Sequence, residues 1–310
     1  MDGTGMPNTL NDLPWELPHT FLGLDESAGS FETAAGVILP VPYESTTSYG
    51  GGTRRGPSAI IDASRYIELY DQEFDCEPAR LGVHTLPALE LTRAGATPAM
   101  TELQEAYARV AEASGDRFLM MLGGEHSVSS PAILAQADRH AERLSVLQLD
   151  AHADLRPQYE GTPNSHASAM ARVLHRADVV AVGIRAVSSE EMEVSRASDA
   201  STIVWADEMW EDDRWMDRAI EALGPKVYLT FDVDYFDPSL VPSTGTPEPG
   251  GGDWYRTLRF LKRVFAEREV VACDIVELGP VPGLQAPDFL VAKLAYKLFA
   301  YRFQERLGER

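Results

Sequence analysis

The sequence predicts an α/β fold of three layers, αβα, around a central and mostly parallel sheet. Three observations carry that prediction. Short runs of β-branched and large apolar residues recur along the chain, and stretches with apolar residues at helical spacing separate them. The runs are also apolar almost throughout, where a sheet with one wet face would alternate apolar with polar residues. Strands of that kind are buried on both sides, so helices must cover both faces of the sheet.

In chain order, residues 1–34 carry several Pro and Gly without a period and are expected to form an irregular N-terminal arm. GVILPV (36–41) is the first strand, followed by helices over Pro57–Leu69 and Met100–Ser114. RFLMML (117–122) and LSVLQL (144–149) are the next strands, with a helix over Pro131–Arg139 between them. Helix Ser165–His175 then leads to DVVAVGI (178–184), and helix Ser188–Arg196 to STIVW (201–205). Helix Arg214–Leu223 precedes KVYLTF (226–231), helix Asp253–Glu267 precedes EVVACDIV (269–276), and helix Pro287–Phe303 closes the chain. No internal repeat or low-complexity linker divides residues 35–310, which read as one domain.

Composition narrows the function. The net charge of −21 argues against nucleic acid, whose phosphates call for clustered Lys and Arg. It suits both solubility and the approach of a cationic substrate. Only four lysines occur, Lys226, Lys262, Lys293 and Lys297, against many arginines. The longest apolar runs have strand length and fall short of the ~20 residues that span a bilayer. The first twenty residues lack the basic and apolar regions of a secretory signal. Cys76 and Cys273 stand far apart, without metal-binding or redox spacing. A reduced, cytoplasmic protein is the expectation, with no membrane partner.

In parallel sheets ligands sit beyond the carboxyl ends of the strands, and there the unusual polar residues fall. Strand 144–149 runs into Asp150-Ala-His152-Ala-Asp154, and strand 226–231 into Asp232-Val-Asp234. Residues at i, i+2 and i+4 of an extended segment point to one side. Strand 117–122 ends in Gly123-Gly124-Glu125-His126-Ser127, where glycines permit a tight turn before a helix. An Asp-x-Asp after a strand is ordinarily a turn or a cap; three such segments at strand ends are a site. Four carboxylates there would repel and desolvate one another without compensating positive charge. Two divalent cations would neutralise them and lower the pKa of a shared water. Oxygen-rich ligation with two imidazoles suits Mn²⁺ better than a thiolate site would suit zinc.

GGEHS, DAHAD and FDVDYFDPSLVPSTGTPEPGG resemble the signature segments of the ureohydrolases, the family that includes arginase, agmatinase and guanidinobutyrase. VPYESTTSYGGGTRRGPSAIIDAS and DIVELGP match in style and position, so the likeness covers roughly residues 36–300. It implies the arginase/deacetylase-like α/β fold, two Mn²⁺ per subunit and a trimer or hexamer. By that likeness His126, Asp150, Asp154 and Asp232 are ligands of one metal. Asp150, His152, Asp232 and Asp234 are ligands of the other, with Asp150 and Asp232 bridging. Glu277 falls where the family grips the guanidinium, a pairing that would orient the carbon towards the nucleophile. His166, in NSHASAM, corresponds to the proton-shuttling histidine, although Ala167 replaces the commoner Gly beside it. The implied reaction is attack of a hydroxide shared by the two metals on the guanidinium carbon, through a tetrahedral intermediate. Proton transfer to the leaving amine would come from Asp154 or His166.

Arg156 and Ser188 stand where arginase would grip the α-carboxyl and α-amino groups, which disfavours arginine. The motifs rank agmatine first, giving putrescine and urea. N1-aminopropylagmatine comes second and 4-guanidinobutyrate third, the acidity of the chain leaning towards a cationic tail. A single-zinc, deacetylase-like amidohydrolase is the more distant alternative, but it would lack the second metal's ligands and carry a His-His pair. A non-catalytic homologue would be expected to have lost a ligand, and all six are present.

Overall fold

The structure, a computed structural model, describes residues 16–308. Eight strands form one sheet: β1 (Gly36–Val41), β2 (Val83–Thr85), β3 (Phe118–Gly123), β4 (Leu144–Leu149), β5 (Ala177–Ile184), β6 (Ser201–Trp205), β7 (Lys226–Asp232) and β8 (Glu269–Val276). Their order is β2-β1-β3-β8-β7-β4-β5-β6, and every pairing is parallel. The helices are α1 (Glu26–Gly29), α2 (Gly56–Ser64), α3 (Ala96–Ser114), α4 (Ser129–Arg139), α5 (Ser189–Arg196), α6 (Glu208–Glu211), α7 (Arg214–Ala222), α8 (Trp254–Glu267), α9 (Ala286–Arg302) and α10 (Gln304–Gly308).

The three layers follow from the strands' two apolar sides. Ile38, Met120, Leu122, Val180 and Val182 face one core, shared with Ile60 of α2, Ile220 of α7, Leu261 of α8 and Leu294 of α9. Their neighbours Val37, Leu39, Leu119, Met121 and Val179 face the opposite core, against Leu103 of α3 and Ile133 of α4. Period-2 alternation thus survives in the direction of the side chains, though both directions are apolar. Helix α9 is buried nearly all round, and even its Lys297 lies inside, where Nζ meets Asp71 Oδ2 at 2.8 Å and also contacts Glu73. No helix among the described residues is long and apolar enough to cross a membrane.

Three differences from the sequence reading have physical causes. The helix expected over Ser165–His175 is absent, and a 3-10 turn over His166–Ser168 stands in its place. Its own backbone bonds form only separate turns, because part of the segment bonds to a neighbouring loop: Met170 N and Ala171 N both donate to Asp154 O, and Arg156 N donates to Ala167 O. Strand β2 is three residues at the sheet edge, too short for a pattern to reveal. The helix expected to run to Leu69 ends at Ser64, whose hydroxyl donates to Ile61 O and accepts from Leu22 N. Of the expected irregular arm, residues 1–15 lie outside the described residues. Residues 16–34 carry a 3-10 turn (Phe21–Gly23) and α1, with Phe21 and Leu22 buried in the core beneath α2.

Candidate metal centre and active site

Strands β3, β8, β7 and β4 are neighbours at the middle of the sheet, and their carboxyl ends deliver the site side by side. Beyond β3 the chain turns at Gly124, where a Cβ would run into the Tyr43 carbonyl, so only glycine allows the approach. His126 then opens a 3-10 turn leading into α4. Beyond β8, Glu277 takes a left-handed backbone, φ 66°, and its Oε1 accepts from His126 N at 2.7 Å.

The aspartates reach the site by a route other than the extended pattern expected. Strand β4 ends at Leu149, and Asp154 lies at φ 51°. That left-handed turn, not an i+4 repeat, aims its carboxylate back beside Asp150. Strain of this sort persists only where surrounding contacts over-determine it; here the two amide bonds to Asp154 O do so. Likewise Asp232 ends β7 and Asp234 lies in a 3-10 turn, with Asp234 N donating to Asp232 Oδ1 at 2.9 Å.

The structure brings all six expected ligands together. His126 Nδ1 lies 3.0 Å from Asp150 Oδ2, 2.9 Å from Asp154 Oδ2 and 3.4 Å from Asp232 Oδ2. His152 Nδ1 lies 3.0 Å from Asp234 Oδ2 and 3.6 Å from Asp150 Oδ1. Asp150 therefore turns one oxygen to each half. His126, Asp150 and Asp154, and separately Asp150, His152 and Asp234, hold their donor atoms within 4.8 Å of one another and could each hold a metal ion. Asp232 joins neither of these sets but stands beside the first through its contact with His126.

The tautomer of His126 tests the fit. Its Nε2 is 2.9 Å from Thr230 Oγ1, and Thr230 gives its hydroxyl hydrogen to the buried Asp274 at 2.6 Å. Nε2 must then be the N–H donor, which leaves Nδ1 buried, without a well-formed hydrogen bond, amid three carboxylates. A lone pair facing three anions is repulsive unless a cation stands between them. The residues fit divalent metal.

Without metal the cluster must hold protons instead. Burial, then the charge of Asp150, pushes Asp154 up to about 7. Burial, then Asp234 and Asp150, raises Asp232 well above the carboxylate range. For His152 burial works downward, but Asp234 and Asp150 outweigh it and lift the imidazole to about 12. Each of these groups binds its proton more tightly folded than unfolded, so each contributes stability that is lost as pH rises. For Asp154 that loss runs from about 4 to about 7, and for His152 from about 6.5 to about 12. Burial lowers His166 and works the other way, but only below pH 6.5. The metal-free protein is therefore expected to melt at a lower temperature at pH 8.5 than at pH 6.5. The rise in melting temperature on adding Mn²⁺ should in turn grow with pH, because the metal displaces those protons. Thermal scans at both pH values, with and without chelator, decide it; a metal-independent pH profile would contradict the assignment.

His166 is held over the cluster by residues that motif reading missed. Its Nδ1 is 3.2 Å from Thr46 Oγ1, whose hydrogen goes to Glu125 Oε1 at 2.8 Å. Nδ1 is thus the donor to Thr46, and Nε2 keeps its lone pair, with Ser48 Oγ 3.5 Å away. Glu125 is fully buried and also accepts from Ser45 N and Thr46 N, which moors the 45–48 loop over the site. The signal lay in GGEHS and YESTTS, but nothing in either segment says that one grips the other. Arg185 is a second organiser: its guanidinium donates to the carbonyls of Gly183, Asp234 and Glu248, tying β5 to the loop after β7.

Above the cluster lies a cavity of about 370 Å³, lined among others by Tyr49, Arg156, Tyr159, Ser188, Glu191, Glu248 and Glu277. The Arg156 guanidinium stacks 5.0 Å from the Tyr159 ring centre and lies 3.9 Å from Glu191. Ser188 forms a capping box with Glu191 at the start of α5.

Residues 34–300 match the Arginase family. The chain belongs to the arginase family. An N(1)-aminopropylagmatine ureohydrolase of Synechocystis sp. is 39% identical over 291 residues, covering 92% of this chain and 94% of that one. An agmatinase of Bacillus cereus is 32% identical and covers 83% of this chain and 87% of that one. Among solved structures, the agmatine ureohydrolase of Thermoplasma volcanium matches with a TM-score of 0.79 at 26% identity, covering 90% of this chain and 94% of that one. This arginase-family enzyme is a hydrolase acting on the C–N bonds of amidines, on the fold its motifs imply.

Proposed function

We propose that this enzyme hydrolyses N1-aminopropylagmatine, adding water across the bond between the guanidinium carbon and the substituted nitrogen to release urea and the free triamine. The observation that carries the reading is a His/Asp cluster at the floor of a cavity whose charged lining residues, Arg156 apart, are acidic, suited to a substrate with a guanidinium head and a cationic tail. The motifs alone rank agmatine first. That order is reversed here, because identity to the N(1)-aminopropylagmatine ureohydrolase exceeds identity to the agmatinase, 39% against 32%.

His126, Asp150, Asp154 and Asp232 would hold one metal, and Asp150, His152, Asp232 and Asp234 the other, with Mn²⁺ in both. The donors are oxygens and imidazoles without thiolate, which favours that ion. Bound there, two divalent cations supply Lewis acidity and a water deprotonated near neutral pH. The chain's own residues do the rest. Glu277 receives the guanidinium with the oxygen not used by His126 N, fixing the carbon in line. His166, kept neutral by burial and with its Nε2 lone pair free, takes up a proton from water at Nε2 and passes that proton to the departing nitrogen, while Thr46 and Glu125 fix its tautomer. Asp154 is the alternative donor.

The catalytic domain would span residues 35–310, with 1–34 as an N-terminal arm, in a cytoplasmic trimer or hexamer. The function is tested by urea release from Mn²⁺-loaded protein given N1-aminopropylagmatine, agmatine, 4-guanidinobutyrate and arginine. The expected result is the highest kcat/KM on N1-aminopropylagmatine. A higher value on agmatine would restore the motif-based order, and no urea from any, with two metals bound, would sink the reading.

A further inference from the structure

We infer that Glu248 is the specificity-determining residue for the substrate's tail, its carboxylate receiving the terminal ammonium that N1-aminopropylagmatine carries and agmatine lacks. The inference rests on the substrate reading above. Agmatine ends in one primary ammonium. The longer substrate has a secondary ammonium at that place and a second cation three methylenes further from the guanidinium. An enzyme that prefers it needs an anion beyond the reach of agmatine.

The cavity wall offers few candidates. Asp154, Asp232 and Asp234 stand within the His/Asp cluster, and Glu277 is bonded to His126 N beside it. Glu191 is nearly fully buried and its oxygens are committed: Oε1 accepts from Leu155 N at 3.1 Å, and Oε2 accepts from Ser188 N and Ser188 Oγ, both at 2.8 Å. Taking a ligand there would uncap α5. Arg156 repels a cation. Glu248 remains. It lines the same cavity and is partly exposed, and among the described residues no hydrogen bond or ion pair engages its carboxylate.

Its backbone, by contrast, is fixed. Arg185 Nη2 donates to Glu248 O at 3.1 Å and Nε donates to it at 3.4 Å, and the same guanidinium holds Asp234 O at 2.6 Å. One side chain thus couples the position of Glu248 to the end of β7, where the metal ligands begin. A carboxylate anchored through its main chain, with free oxygens at a cavity wall, is preorganised to pair with an ammonium. Discrimination follows because agmatine gains nothing from it.

The test is steady-state kinetics of wild type and Glu248→Gln on N1-aminopropylagmatine, agmatine and N1-propylagmatine, which keeps the tail's three carbons but lacks its terminal ammonium. Glu248→Gln should lower kcat/KM for N1-aminopropylagmatine by about 10- to 100-fold, mostly through KM, as for loss of a charged hydrogen bond. Values for agmatine and N1-propylagmatine should shift by less than about 2-fold, because neither makes that bond. An equal fall on all three, or an unchanged preference, would overturn the role of Glu248 while leaving the substrate reading intact. Wild type preferring agmatine would overturn both.

Discussion

Asp150→Asn is expected to cut urea release by at least about a thousandfold and to lower bound metal from two per chain to one or none. The size follows from geometry. Asp150 is fully buried and turns Oδ2 to His126 and Oδ1 to His152, so one substitution weakens both halves of the centre. The Lewis acidity lost is worth several kcal/mol, and each 1.36 kcal/mol is a factor of ten in rate. The fold should survive. Asn can still accept from His152 N, as Asp150 Oδ1 does at 2.6 Å, losing the bond that Asp150 Oδ2 accepts from Gln148 Nε2, which keeps its second bond to His152 O. Metal analysis and thermal scans run beside the activity assay. Full activity with two metals retained would remove Asp150 from the centre.

Glu277→Gln should act on substrate and leave metal alone. Burial raises the Glu277 carboxyl well above its usual range, opposed by the bond from His126 N, so in the empty site it tends to stay protonated. A guanidinium alongside would draw that proton off and complete the pair. Removing one partner of a buried charged pair costs about 2–5 kcal/mol, roughly a 30- to several-thousand-fold loss of kcat/KM. Gln keeps an oxygen for His126 N, so two metals per chain should remain. A metal count that falls along with activity would make Glu277 a support of the centre and not the grip on substrate.

How much of this was legible depended on where each constraint resides. The strands were readable because each is apolar on both faces, and burial on both faces is what a parallel sheet demands. The six clustered acids and imidazoles were readable because three such polar segments, each ordinarily a turn or a cap, recur at the ends of buried strands. What brings them together was not. Asp154 meets Asp150 through a left-handed turn, and Asp234 through a 3-10 turn, where the sequence suggested extended spacing. The 165–175 segment has the apolar spacing of a helix, yet two of its amides, Met170 N and Ala171 N, serve Asp154 O in a neighbouring loop. Local propensity cannot anticipate a partner supplied by another loop.

By itself, then, the sequence determined the layered α/β class, the sheet with two buried faces and the six acids and imidazoles that gather at the strand ends. These are properties of composition and order at single strand ends. The tertiary structure alone decided that β3, β8, β7 and β4 lie side by side, so that four separate strand ends form one centre. It also decided that Glu125 moors the loop carrying Thr46 beneath His166, that Glu191 receives Leu155 N, and that Glu248 lines the cavity with no partner for its carboxylate among the described residues. The reason is that these partners lie far apart in the chain, 79 residues between Thr46 and Glu125 and 36 between Leu155 and Glu191, and no local pattern encodes such meetings.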